Sequence, residues 1–216
     1  MKQLVILGAG GLAAETINLI EENNARCHEW EILGCLNSRS EPNEPTHVLG
    51  YPILGDDSWL DGHTEKLYAV CAVGNPHIRA QIIHRYREHC PNVCFPTLIH
   101  HSAQISRHSR IGMGAIICSG VNITVNTDIG AFSIIDLGSS VSHGSKIGSF
   151  SILHPDSTVC GNVEIGNLVE IGAGSTIIQG LKIGGGSIIG AGSTVVRNVP
   201  ESVVAYGNPC RVMRDI

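Results

Sequence analysis

The chain has 216 residues, long enough for one large or two modest domains with a real core, and a formal net charge of −5. That mild acidic balance, with no Lys/Arg run, argues against a nucleic-acid partner; the longest basic cluster, Arg79, Arg85 and Arg87, reads as one exposed helix face. No apolar run approaches the roughly 18 residues of a membrane span, no signal-peptide pattern follows Met1, the 8 scattered cysteines lack a CxxC pair and the 11 histidines lack an HxH or HExxH cluster, so a reduced, metal-free, cytoplasmic protein is expected.

Residues 1 to about 90 alternate between strand and helix signals. Leu4-Val5-Ile6-Leu7 reads as a buried strand, and Gly8-Ala9-Gly10-Gly11-Leu12 leads into a helix over 13–22. A second strand is expected over 31–36, a loop over 42–52, a short helix after 52–57 and a third strand over 67–73. Asn75-Pro76 caps a second helix that runs to about His89, and Pro91 to Pro96 reads as a linker. Strands alternating with helices imply a small parallel sheet. Gly8-x-Gly10-x-x-Ala13 sits after a strand and opens a helix, the context in which helix N-terminal amides cradle a phosphate. Three strands in about 90 residues are too few for a full dinucleotide site, and Asn37 stands where an acidic residue would hold a ribose. The same glycines would also serve simply to close a strand-to-helix turn.

From Ile99 an aliphatic residue recurs every six positions through Val195, 17 units without a slip, and four residues after each comes a small or modest side chain. Helices need a 3.6 period and half-buried strands a period of 2, so this is the grammar of a parallel β-helix in which three units make a coil. Gly often follows the aliphatic position, as at Gly112, Gly148, Gly166 and Gly184. Three polar residues break the pattern: Asp136 and His154 directly follow core positions, and His143 lies two after Val141. Any one of them read alone is a solvated corner residue. Imidazole is nevertheless the side chain suited to general-base work near neutral pH. Asp136 and His143, seven apart, lie on adjacent faces of one coil, whereas Gly161 is 18 residues after His143 and shares its corner one coil further on. Gly172-Ala173-Gly174 and Gly184-Gly185-Gly186 are either corners open to a ligand or sterically tight turns.

Over essentially its whole length the chain resembles the NeuD/PglD-type sugar O- and N-acyltransferases, left-handed β-helix enzymes with a small Rossmann-like domain in front. The resemblance is carried by Leu7-Gly8-Ala9-Gly10-Gly11, Leu54-Gly55-Asp56-Asp57, Ala72-Val73-Gly74-Asn75-Pro76-His77-Ile78-Arg79, Leu98-Ile99-His100, Cys160-Gly161-Asn162-Val163-Glu164-Ile165-Gly166, Ile171-Gly172-Ala173-Gly174-Ser175 and Tyr206-Gly207-Asn208-Pro209-Cys210-Arg211-Val212. It implies a Rossmann-like nucleotide-sugar domain over 1–96, with Gly8, Gly10, Gly11, Asn37 and Asn75 at the substrate, and a left-handed β-helix acetyltransferase domain over 97–216. By the same resemblance the protein is a homotrimer with active sites between neighbouring coils, using acetyl-CoA and no metal to acetylate the amine of a nucleotide-linked amino-sugar for a bacterial surface glycan. His143 takes the catalytic place, Asp136 matches a family Asn, and the amide of Gly161 approaches the thioester; His154, Ile152, Gly172 and Ala173 are expected at acetyl-CoA. The chain departs from the family at Gly144, where an acidic neighbour of the histidine is usual, at Ile152, where a second histidine falls, at Leu12 for a frequent His and at Asn37 for a typical Asp. A sialic-acid-type O-acetyltransferase and a non-catalytic scaffold are the alternative expectations.

Overall fold

The computed structural model describes residues 1–37, 46–60, 63 and 65–216 and divides into two compact units, Met1–Pro96 and Thr97–Ile216. The first unit runs β1 (Lys2–Leu7), α1 (Gly11–Asn24), β2 (Trp30–Leu36), β3 (His47–Val48), β4 (Tyr51–Gly55), a 3-10 turn (Asp57–Leu60), β5 (Leu67–Cys71), α2 (Pro76–His89) and β6 (Val93–Cys94). Its sheet has the order β3-β4-β2-β1-β5-β6, parallel except for the β3–β4 hairpin. Leu4, Val5 and Ile6 of the central β1 are fully buried, as a strand covered on both faces requires.

The sheet has six strands, not the expected three. β3 and β6 are two residues each, too short to show alternation, and β6 lies inside the stretch read as a linker. β4 falls at the end of the expected loop and in the lead-in to the expected short helix, which is the 3-10 turn at Asp57–Leu60; β4 contains Pro52 and Gly55, residues depleted in strands, and all five of its residues are half-buried. The remainder of the expected loop, 42–45, lies outside the described residues. Arg79 also departs from expectation. It is 1% exposed, because Pro76, Arg79, Ile83 and Tyr86 form the buried stripe of α2 at spacings of three and four; Arg85 and Arg87 alone are exposed.

In the second unit each hexad forms a two-residue strand that ends on its aliphatic residue, from Leu98–Ile99 to Thr194–Val195. Every strand pairs in parallel with the one a coil away, as in Ile116↔Ile134 and Ile117↔Ile135, and three sheets result. Val141, Leu153, Val159, Ile171, Ile177 and Ile189 are fully buried. A hairpin of Val203–Gly207 and Cys210–Asp215 extends the first sheet beyond Ile188–Ile189. The unit is thus a β-solenoid built on the hexapeptide repeat.

The small residue four places after each aliphatic does more than fit. Ser133, Ser139, Ser145, Ser151 and Ser175 each donate to the carbonyl 15 residues on, at 2.8–3.0 Å. Ser139, Ser145, Ser151 and Ser175 also accept from the N–H 18 residues on, at 3.0–3.3 Å. These hydroxyls are fully buried and each is hydrogen-bonded to a neighbouring coil, so each is a rung between coils. The glycines that follow the third sheet (Gly112, Gly130, Gly148, Gly166, Gly184) have a different cause: a Cβ at any of them would collide with the backbone of the coil above.

The residue before each aliphatic gives each sheet its own chemistry. The first sheet shows Leu98, Ile116, Ile134, Ile152 and Ile188, apolar but for Glu170; the second shows Gln104, Asn122, Ser140, Thr158, Thr176 and Thr194, and the third Arg110, Asp128, Lys146, Glu164 and Lys182. On the third, Arg110 pairs with Asp128 at 2.7 Å and Lys182 with Glu164 at 2.8 Å. Hydrogen bonding from those cations holds both carboxyls below the usual carboxylate range. Replacing Ser151 by Ala removes one rung and strands the Gly166 carbonyl and Val169 N–H, so stability should fall by about 1–3 kcal/mol in chemical denaturation. An unchanged midpoint would mean that the rungs contribute nothing.

Candidate functional site

In the first unit a cleft of about 510 Å³ opens at the carboxyl ends of β1, β2 and β5. With β2 on one side of β1 and β5 on the other, this is the point where strand order reverses, the usual ligand position in such sheets. Gly8, Gly10, Gly11, Asn37 and Asn75 all line it, together with Leu7, Leu36, Val73, Ile78 and Ile82.

The three glycines have different reasons to be there. Gly8 has φ +118°, and a Cβ would lie 2.9 Å from the Ala72 carbonyl oxygen, so the fold itself demands glycine. At Gly10 and Gly11 a Cβ would meet nothing within 4 Å. Packing therefore does not require glycine at either position, and both border the cleft. Gly10 caps α1 without a side-chain bond, and the N–H groups of Gly11 and Leu12 find no acceptor among the described residues, leaving donors at the positive end of a helix.

Asn75 caps α2, its Oδ1 accepting from the Ile78 N–H at 3.0 Å. The β5–α2 loop is further held by the buried Arg79, whose Nη1 donates to the carbonyls of Val73 and, at 2.8 Å, Gly74. The spacing along α2 carried the signal for this strut: Arg79 falls on the stripe set by Ile83 and Tyr86. A buried guanidinium satisfied by loop carbonyls fixes the cleft wall and adds positive potential close to it.

In the solenoid, His143 and Gly161 stack one coil apart. A Cβ on Gly161 would lie 2.6 Å from His143 Nε2 and 3.1 Å from Nδ1, so the imidazole rests directly on the glycine backbone. The His143 side is exposed, Gly161 is buried beneath it, and its N–H donates to no group among the described residues. An imidazole and an unused backbone donor therefore share one corner. The backbones are locked as well, since the Asn162 N–H donates to the His143 carbonyl at 2.8 Å.

Asp136 is 5% exposed and its Oδ1 accepts from the Leu137 N–H at 2.8 Å; no hydrogen bond or ion pair joins it to His143 within the chain. His154 makes a side-chain hydrogen bond that the spacing did not suggest, between Nε2 and Glu170 Oε1 at 3.0 Å, with both side chains about one-third exposed (31% and 33%). Ile152 is 1% exposed and offers no surface to a ligand in this chain. Gly172 and Gly184 are tight turns, because a Cβ on either would strike the backbone of Ala191 or Glu201; Ala173 and Gly174 beside them are exposed.

Gly8→Ala should lower stability by about 1 kcal/mol or more through its left-handed backbone. Gly10→Ala should melt like the parent yet lose affinity for a nucleoside diphosphate by about tenfold in calorimetric titration. Equal affinity would mean the glycines only close the turn. Arg79→Met should weaken the same binding and lower the melting temperature together.

The PglD N-terminal domain family matches residues 3–86, and the bacterial transferase hexapeptide (six repeats) family matches residues 144–179. Comparison with curated protein sequences finds no match. Among solved structures, a His-to-Asn variant of perosamine N-acetyltransferase from Caulobacter crescentus, in complex with CoA and GDP-perosamine, is 31% identical, with 100% of this chain and 98% of that one covered and a TM-score of 0.88. The acetyltransferase domain of PglB from Neisseria gonorrhoeae FA1090, in complex with acetyl coenzyme A, is 25% identical over 98% of this chain and 99% of its own, with a TM-score of 0.87. WeeI from Acinetobacter baumannii AYE, at 24% identity, 99% and 100% coverage and a TM-score of 0.84, shares the fold. With a PglD N-terminal domain, hexapeptide repeats and full-length similarity to perosamine N-acetyltransferase, the chain belongs to the PglD/NeuD-type family of hexapeptide-repeat sugar acyltransferases.

Proposed function

We propose that the protein is an acetyl-CoA-dependent N-acetyltransferase that acts on the amine of a nucleotide-linked amino-sugar. The observation that carries this reading is the His143–Gly161 stack, an imidazole suited to general-base work resting on a glycine whose backbone N–H is unused. Two relatives bound to CoA together with GDP-perosamine, or to acetyl coenzyme A, support it.

In the proposed reaction the amine nitrogen attacks the thioester carbonyl carbon. A C–N bond forms and the carbonyl π pair moves onto oxygen, where the Gly161 N–H donates to it; one such donor is worth about 3–4 kcal/mol in comparable sites. His143 takes the proton lost from nitrogen. Collapse of the tetrahedral intermediate breaks the C–S bond, and His143 returns its proton to the departing thiolate. The amide and free CoA leave, and the imidazole is neutral again. The first unit's cleft holds the diphosphate on the α1 amides, with the apolar wall of Leu36, Ile78 and Ile82 beside it.

His143 stands exposed on a convex corner, so one coil supplies only half a pocket. We take the active form to be a homotrimer in which a neighbouring coil provides the other wall, brings Asp136 to the imidazole or the amine, and frames the acetyl-CoA groove with His154, Ala173 and Gly174. A cytoplasmic setting suits a protein whose eight cysteines are all free and whose described helices are too short and polar to cross a membrane. The acetylated nucleotide-sugar would then feed surface-glycan assembly.

Thiol release from acetyl-CoA should appear with a UDP-, dTDP- or GDP-linked 4-amino-sugar and not with free sialic acid; the reverse would make the enzyme an O-acetyltransferase, and silence with all acceptors would favour a scaffold. His143→Ala should lower kcat by about 10²–10⁴ with little change in melting temperature. Near-parental turnover in that variant would remove the assignment. Light scattering should give three times the 22.9 kDa chain mass, and a monomer that turns over at full rate would sink the shared site.

A further inference from the structure

A base that works by its imidazole needs a group to orient the ring. Nothing on His143's own turn does so. Gly144 follows it without a side chain, and no hydrogen bond or ion pair holds the ring within the chain. The space beside Gly144 is nevertheless filled. A Cβ built on Gly144 would collide with Oδ1 of Asn162 and lie 3.3 Å from its Cγ. Two side chains have thus exchanged places across one coil step: His143 covers Gly161, and Asn162 covers Gly144.

We propose that Asn162 is the positioning residue of His143. Its carboxamide oxygen stands where a side chain at 144 would end, and during turnover it accepts from the ring N–H that is not facing substrate. The two exposed side chains are unbonded in the free chain, as catalytic contacts often are before substrate fixes them. The inference rests on the reading of His143 as base. It has a chemical consequence: a neutral oxygen orients the ring but gives the imidazolium less support than a carboxylate would, which keeps the base free of its proton at lower pH.

Few other charges bear on this corner. On the turns packed against it, 124–127 and 160–163, Cys160 is the only titratable residue. On its own coil Asp136, seven residues before it, makes no bond to the ring and, with Asn162 at the imidazole, is left to orient the amine; Lys146 lies three residues on, with Glu164 in register beside it and already paired to Lys182.

Asn162→Asp tests the proposal, since it places a carboxylate in the same space on a backbone that accepts it; Asp156 holds φ +59° at an equivalent turn. In the full-length protein the acid limb of the kcat/KM profile and the NMR titration of the His143 ring should both move up, by about half a unit to one unit given the exposure of the pair. Asn162→Ala should lower kcat about fivefold to twentyfold with both KM values unchanged. Adding Gly144→Asp to Asn162→Ala should recover most of that loss. A ring titration that stays within 0.2 unit of the parent (roughly the precision of such a titration) in Asn162→Asp, or an Asn162→Ala variant of parental kcat, would overturn it. His143→Ala separates the two readings: retained turnover there removes the base itself, whereas lost turnover there with an unmoved titration in Asn162→Asp removes only the part given to Asn162.

Discussion

Everything in the second unit depends on the requirement that each coil return to the same three corners one strand spacing above the last. Backbone pairing alone would tolerate drift. The serine rungs do not, because the hydroxyls of Ser139, Ser145, Ser151 and Ser175 must each reach one carbonyl 15 residues on and one N–H 18 residues on at the same time. A hydroxyl buried among aliphatics is unfavourable unless both bonds form, so the penalty for misregister is high. The glycines after the third sheet act in the same direction, since any side chain there would push neighbouring coils apart.

That register is what turns distant residues into a site. His143 and Gly161 are far apart along the chain but stack because their positions within the coil are identical, and the ring sits where a larger residue would have put a side chain. The first unit reaches a comparable result by another route. There a strand-order reversal opens the cleft, and its glycines divide into one that the backbone needs and two that packing does not require.

The coil was legible from its period, and the shared corner of His143 and Gly161 from simple counting by 18. The glycines of the β1–α1 turn, the cap at Asn75 and the boundaries of β1, β2 and both helices were also legible, because each has a strong local cause. β3, β4 and β6 were not. Two-residue strands have no period, and a strand with Pro52 and Gly55 is held by its neighbours and not by its own preferences. Arg79 was misjudged for its charge, although its spacing from Ile83 and Tyr86 already put it on the buried stripe. The serines looked merely small; their hydrogen bonds exist only once the coils are stacked. The Glu170 partner of His154 comes from a strand 16 residues on, a distance that matches no simple multiple of the repeat.

The three unlike faces of the coil carry a consequence for how such a chain can change length. An insertion of 18 residues would add one storey and leave apolar, hydroxyl-rich and charged columns each above its own kind. An insertion of six would turn every later residue onto the next face. Isoleucines would then follow lysines up one side, an insertion between 110 and 128 would part Arg110 from Asp128 and one between 164 and 182 would part Glu164 from Lys182, and an insertion between 143 and 161 would carry the glycine away from beneath the imidazole. Length in this half of the molecule is therefore quantised. The chain can grow or shrink by whole storeys, while a step of six, though it preserves every local motif, destroys the alignment on which the site depends.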